Sequence, residues 1–226
     1  STRYENVHGL DRSGEPGNVT NAWDLAILAR ELIAMPEALE LSSTVQTVIR
    51  SRQQINTTNR LLKTYPGCDG LKTGYTARAG YCLVSTVERN GMRVVSVLLG
   101  AASNRRRFSE SAQLLDKAFS EWQRVPVVAK GQDLNQDLAV SSGRGSSVPL
   151  VAGDDLSVLV RTRCASDIHV AVAAPSSTRA PVAEGWTLGR VQGLVGDRVA
   201  AEGSALAGRT VGRAGAAEWL RKAFQP

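Results

Sequence analysis

Lys72, Thr73 and Gly74 stand together at the front of an apolar, β-branched run in "DGLKTGYTARAGYCLVST", residues 69–86. An ammonium on a core strand is costly unless it faces a cleft or an anion. The lysine supplies charge and the threonine a directed hydroxyl, a pair suited to a ligand carboxylate. Gly74 lets an extended, peptide-like ligand lie against the strand edge without meeting a side chain. Arg107, in the run Arg105-Arg106-Arg107, has the plain reading of a solvated residue near a helix start. His8, in "HGLD", invites a general-base role but reads as a structural loop residue, and Asp69 reads as a turn former before the strand. Cys68, Cys82 and Cys164 read as small core fillers rather than a disulfide pair. With His8 and His169 the only histidines, no Cys/His cluster has the spacing of a zinc site, and no metal is implied.

These residues need a sheet and a covering helix to position them. "TNAWDLAILARELIAMPEALE", from Thr20, places Trp23, Ile27, Leu28 and Ile33 at roughly helical spacing behind Thr20 as N-cap, and Pro36 stops or redirects the helix. Thr44 to Arg60 reads as one or two short strands with a turn. "GYCLVSTVERNGMRVVSVLLGA" is two apolar runs around Asn90-Gly91, which tolerate the positive φ of a type I′ hairpin. Leu71 to Leu99 therefore predicts two or three adjacent strands, with the triplet on the first. Residues 104–123 predict an amphipathic helix offering Phe108, Leu115, Phe119 and Trp122 to the sheet.

Residues 1–124 are thus expected to form an α/β layer. From 125 to 213 the chain is Val-rich and short-period, broken by Gly, Pro and Ser clusters, which predicts an all-β, sandwich-like domain. The last stretch, 214–226, "AGAAEWLRKAFQP", sets Trp219, Leu220 and Phe224 beside Arg221 and Lys222. It is too short to span a bilayer, and reads either as a helix packed on the β domain or as the start of an interfacial amphipathic anchor.

Composition bounds the rest. The 226 residues are 42% hydrophobic and 21% charged, ordinary globular usage that excludes a disordered chain. A net charge of +6 and a pI near 9.6 suit an anionic surface. The basic residues are scattered, however, and the aromatics, 5% of the chain, do not alternate with them, so nucleic acid is not an expected partner. No signal peptide, transmembrane run or initiator methionine appears, and the opening "STRYENVHGLD" reads as the middle of a longer reading frame.

The Lys-Thr-Gly triplet accompanies Ser-x-x-Lys and a Ser-Asp-Asn type motif in penicillin-binding proteins and β-lactamases. The chain resembles the low-molecular-weight penicillin-binding proteins, serine-type D-alanyl-D-alanine carboxypeptidases of the peptidase S11 type. The likeness runs through "NVHGLD" (6–11), "DLAILAREL" (24–32), "TNRLL" (58–62), "GCDGLKTGYTARAGYCLVSTVERNGMRVVSVLLGA" (67–101), "VPLVAGDDLSVLV" and "APVAEGWTLGRVQ", in that order. It implies part of a transpeptidase-like α/β domain, an antiparallel sheet covered by helices, followed by the family's C-terminal β domain. It also implies that Lys72 and Thr73, with Gly74, hold the terminal carboxylate of a peptidoglycan stem peptide or of a β-lactam. The Tyr75 backbone N–H would be one oxyanion donor, and Arg107 would reach toward the same carboxylate. The resemblance implies no cofactor and an extracytoplasmic location, in the bacterial periplasm or on the outer face of the membrane.

The family's nucleophile and base lie in Ser-x-x-Lys, followed by Ser-x-Asn. No serine in this sequence has lysine three residues on, so the 226 residues can bind but not attack. Two readings follow: the C-terminal portion of a serine carboxypeptidase, or a non-catalytic peptidoglycan- or partner-binding chain. D,D-endopeptidase or β-lactamase chemistry would use the same triplet.

Overall fold

The computed structural model describes residues 2–11, 17–50 and 52–215. The chain divides into two compact units, 1–121 and 122–226. In the first, α1 (Ala22–Ile33) and α2 (Pro36–Ser43) precede a hairpin of β1 (Gln46–Ile49) and β2 (Gln53–Asn56), then a single turn, α3 (Leu61–Thr64). Three antiparallel strands follow in the order β3 (Cys68–Thr76), β4 (Gly80–Arg89) and β5 (Met92–Ala101), and α4 (Asn104–Glu121) closes the unit. The α/β class expected from the sequence is the one observed.

Local chemistry explains most of these boundaries. Asn21 caps α1, its side chain accepting the Asp24 N–H at 2.9 Å. Thr20, the expected cap, instead pairs its hydroxyl with Thr2 at 2.9 Å. Pro36 opens α2 from the N-terminal turn, where a missing N–H costs nothing. Asn90 and Gly91 both have positive φ, at 50° and 70°, as the tight β4–β5 turn requires.

Phe108, Ala112, Leu115 and Phe119 recur at helical spacing on α4 and pack with Leu61, Leu83 and Val87 into the core of this unit. The expected α1 stripe behaves differently. Ala29 is its buried residue, whereas Trp23 is 75% exposed and Ile27 and Leu28 are also open to solvent. Helix α4 ends at Glu121, so Trp122 does not serve the sheet. It opens β6 (Trp122–Val128) in the second unit, where the Arg161 guanidinium lies 5.3 Å from its ring centroid.

Among the described residues, the second unit is all β apart from one 3-10 turn at Thr162–Asp167. Strands β7 (Asp133–Ser141), β8 (Ser147–Ala152), β10 (Ile168–Ala173), β11 (Ser177–Arg179), β12 (Thr187–Val195) and β13 (Arg198–Ala207) form one sheet, ordered β10-β12-β13-β8-β7-β11. Strand β6 pairs with β9 (Leu156–Arg161). Leu138, Val140, Val148, Leu150, Val182 and Val211 form one core cluster and Val128, Leu156 and Val191 another. The expected C-terminal helix falls on residues 216–226, outside those described.

Candidate active site

Strand β3 is the outermost of its three-stranded sheet among the described residues. Its register against β4 sets Lys72 opposite Val84, Thr73 opposite Leu83, Gly74 opposite Cys82 and Tyr75 opposite Tyr81. Residues 71–75 line a cavity of about 960 Å³, with Thr58, Arg107, His8 and the α1 residues Leu25, Leu28 and Leu32 among its other walls.

Within the triplet each side chain has a distinct setting. Lys72 is exposed and its Nζ donates to the Thr73 carbonyl oxygen. Thr73 is only 9% exposed, and its Oγ1 lies 2.7 Å from Thr58 Oγ1 in a shared hydrogen bond. A Cβ added at Gly74 would meet only the Cys82 Cβ, at 3.9 Å. The fold therefore does not itself demand glycine there, and the missing side chain keeps the cavity wall open. Tyr75 is 56% exposed and stacks on Tyr81 with ring centroids 4.3 Å apart.

Of the two readings of Arg107, the solvated one does not hold. It is 7% exposed, one turn into α4, while its neighbours Arg105 and Arg106 face solvent. Its Nη1 donates to the Gly74 carbonyl at 3.1 Å and reaches the Cys82 carbonyl at 3.5 Å. The guanidinium also lies 4.8 Å from the Phe108 ring centroid and 5.5 Å from that of Tyr81, a cation–π arrangement. Burial pulls its pKa below the usual arginine value, opposed by Tyr81 and Cys82. Its Nε is buried without a partner among the described residues, so hydrogen-bonding capacity remains on a cation at the cavity wall.

The stretch before the triplet is clamped from three sides. Arg93 of β5 donates to both carboxylate oxygens of Asp69, at 2.9 and 2.7 Å, to Thr86 Oγ1 at 3.0 Å, and to Glu88. Ser42 Oγ of α2 donates to the Asp69 carbonyl at 2.8 Å, and buried Asn59 donates through Nδ2 to the Gly70 carbonyl at 3.1 Å. Asp69 is therefore not the turn former expected. It lies within β3, beside a register shift between Cys68 and Gly70, as the anion of a charged cluster.

His8 sits in an exposed loop, its Nδ1 accepting the Leu10 N–H at 3.0 Å, a local turn bond consistent with a structural role. The cysteines are free. Cys68 pairs with Val87 and Cys82 with Gly74, at opposite ends of the β3–β4 ladder, so they do not meet. Burial pushes the Cys68 thiol above its usual pKa. Among the described residues lining the cavity none is a serine. The arrangement can fix a carboxylate with an ammonium and a hydroxyl, but carries no serine to attack.

Thr58, Asn59 and Arg93 received no role from the sequence. Thr58 and Asn59 do fall in "TNRLL", one of the stretches that carried the resemblance. Arg93 gave no signal, because its partner Asp69 is 24 positions away and meets it only through strand pairing.

Residues 1–103 match the family model described as D-alanyl-D-alanine carboxypeptidase, and residues 122–213 match that of the penicillin-binding protein 5 C-terminal domain. The first unit is thus similar to the D-alanyl-D-alanine carboxypeptidase family and the second to the C-terminal domain of penicillin-binding protein 5. Among curated carboxypeptidases of this name, DacF of Bacillus subtilis is 29% identical over 227 residues, covering 98% of this chain and 57% of its own length. Among solved structures, a Streptococcus pneumoniae peptidoglycan synthesis regulatory factor (PBP3) aligns with TM-score 0.68 and 26% identity, over 88% of this chain and 59% of that one. Penicillin-binding protein D2 of Listeria monocytogenes, in its cefotaxime-bound form, aligns with TM-score 0.50 and 38% identity over 52% of this chain and 48% of that one. The chain spans about half the length of the curated carboxypeptidases it matches.

Proposed function

We propose that these residues supply the carboxylate-binding half of a serine-type D-alanyl-D-alanine carboxypeptidase, which removes the terminal D-alanine from peptidoglycan stem peptides outside the cytoplasm. Lys72 and Thr73 hold the substrate's terminal carboxylate, Gly74 keeps the strand face open, and the Tyr75 N–H donates to the oxyanion. Arg107 adds positive charge from behind. A β-lactam carboxylate occupies the same place, a reading supported by the cefotaxime-bound relative.

In this mechanism the serine and its lysine base come from sequence beyond these 226 residues, since no Ser-x-x-Lys occurs within them. The serine attacks the penultimate carbonyl, D-alanine leaves, and water hydrolyses the acyl-serine. The segment 214–226 contacts a membrane surface. The observation that carries the reading is the exposed Lys72 beside Thr73 on an outermost strand, both lining the large cavity.

The test is fluorescent penicillin labelling of the protein encoded by the longer reading frame. Covalent labelling is expected, and Lys72→Ala should slow it about tenfold or more, the worth of a charge-assisted bond. An upstream frame without Ser-x-x-Lys, or an unlabelled protein, would leave only the binding reading.

A further inference from the structure

Three segments of the β unit, 141–147, 177–182 and 208–214, are stitched together by main-chain bonds. Arg213 bridges to Gly143 and Val182 to Val211. The Ala180 N–H donates to Ser141 O, the Ala214 N–H to Ser142 O and the Arg144 N–H to Gly212 O, each at 2.9 Å. The three segments contain Arg144, Arg179, Arg209 and Arg213 and not one Asp or Glu. Arg179 and Arg213, with Ser142, Ala180 and Ala214, line a cavity of about 440 Å³. Arg209 is engaged nearby, its Nη2 donating to the Ser147 carbonyl at 3.0 Å. Neither Arg179 nor Arg213 has a side-chain ion pair or hydrogen bond among the described residues, whereas Arg190 of the same unit is paired with Glu202 at 2.8 Å.

We propose that this cavity binds the phosphate group of an anionic lipid headgroup, with Arg179 and Arg213 as the two forks that grip it. Ladder bonds hold two cations, unpaired among the described residues, around one concavity, and an anion between them removes their repulsion. Guanidinium forks match phosphate oxygens two at a time, and the Ser142 hydroxyl on the same wall can donate a further bond. The lipid source follows from the chain's continuation. Ala214, itself on the cavity wall, is followed through Gly215, Ala216, Ala217 and Glu218 by Trp219, Leu220, Arg221, Lys222 and Phe224, a composition suited to a membrane interface. Stable attachment to such a surface takes a second signal, such as a basic patch. The inference rests on the membrane-surface reading above and assigns it a lipid class and a site.

The full 226-residue chain is tested by sedimentation with vesicles of phosphatidylcholine alone and with about one-third phosphatidylglycerol, alongside NMR of arginine Nε–H resonances in millimolar inorganic phosphate. Preference for the acidic vesicles is expected. Arg179→Ala/Arg213→Ala should weaken that binding about 25-fold, near fivefold per arginine, while Arg198→Ala, another exposed cation of this unit, should not change it. Equal binding by the double variant and the parent, or equal binding of the parent to both vesicles, would overturn the site while leaving the membrane reading. Phosphate-dependent shifts at Arg179 and Arg213 without vesicle binding would support the phosphate chemistry and overturn the lipid as its source. Neither response would overturn both.

Discussion

Arg93 holds Asp69 through both carboxylate oxygens, at 2.9 and 2.7 Å, three residues before Lys72. The pair is mostly buried, so its two bonds are not dissipated into solvent as those of a surface ion pair are. It fixes the start of β3 and hence the direction in which the triplet emerges. Arg93→Ala, which strands the Asp69 carboxylate, should cost about 2 kcal/mol in urea denaturation. Arg93→Lys, which keeps the charge and loses the fork, should fall between the parent and the alanine variant.

Gly70 is packed too closely for any side chain. An added Cβ would lie 2.7 Å from Ser42 Oγ and 3.2 Å from Thr86 Cγ2. Gly70→Ala should therefore destabilise by about 1–3 kcal/mol through forced displacement of α2. Adding Ser42→Gly should recover part of that loss in the same denaturation measurement, and failure to recover any would reject the steric explanation.

Arg107→Ala removes the side-chain donor to the Gly74 carbonyl. Amide hydrogen exchange at residues 72–76 should accelerate about tenfold, the worth of one such bond, with β5 unchanged. In the longer protein proposed above, penicillin labelling should fall as well.

Tyr65 donates its hydroxyl to Asp116 Oδ1 at 2.6 Å, and its pKa is pushed up to about 12, by burial first and by that bond second. A folded-state pKa raised above the unfolded value near 10 favours the protonated form. This contribution to stability is fully present below pH 10 and is lost as pH rises from about 10 through 12. Ultraviolet titration of phenolate absorbance should show one late-titrating tyrosine, absent in Tyr65→Phe, whose stability should fall less steeply over that interval.

Much of this was legible in the sequence because it was local. Asn90-Gly91 declares its turn through two residues that accept positive φ, and the α4 stripe from Phe108 to Phe119 through spacing alone. Lys72 was conspicuous as a cation before an apolar run. What could not be read depended on distant partners. Asp69 looked like a turn residue until Arg93 arrived across the sheet, and a solvated Arg107 stood as an equal alternative until α4 packed its guanidinium behind Gly74. Trp23 was misjudged for the opposite reason, since an apolar residue at helical spacing is buried only when something covers it.

The hydroxyls of Thr58 and Thr73 share one hydrogen bond in which either can be the donor. A carboxylate arriving beside Lys72 has only acceptor oxygens, so Thr73 must turn its proton outward, and Thr58 must then supply its own to the oxygen of Thr73. The pair is a rotor with two settings, and an acceptor-only ligand selects one of them. A ligand ending in an amide can offer a donor and does not compel that choice, so in the proposed carboxylate-binding role the proton order of the two threonines would tell a free carboxyl terminus from an amide.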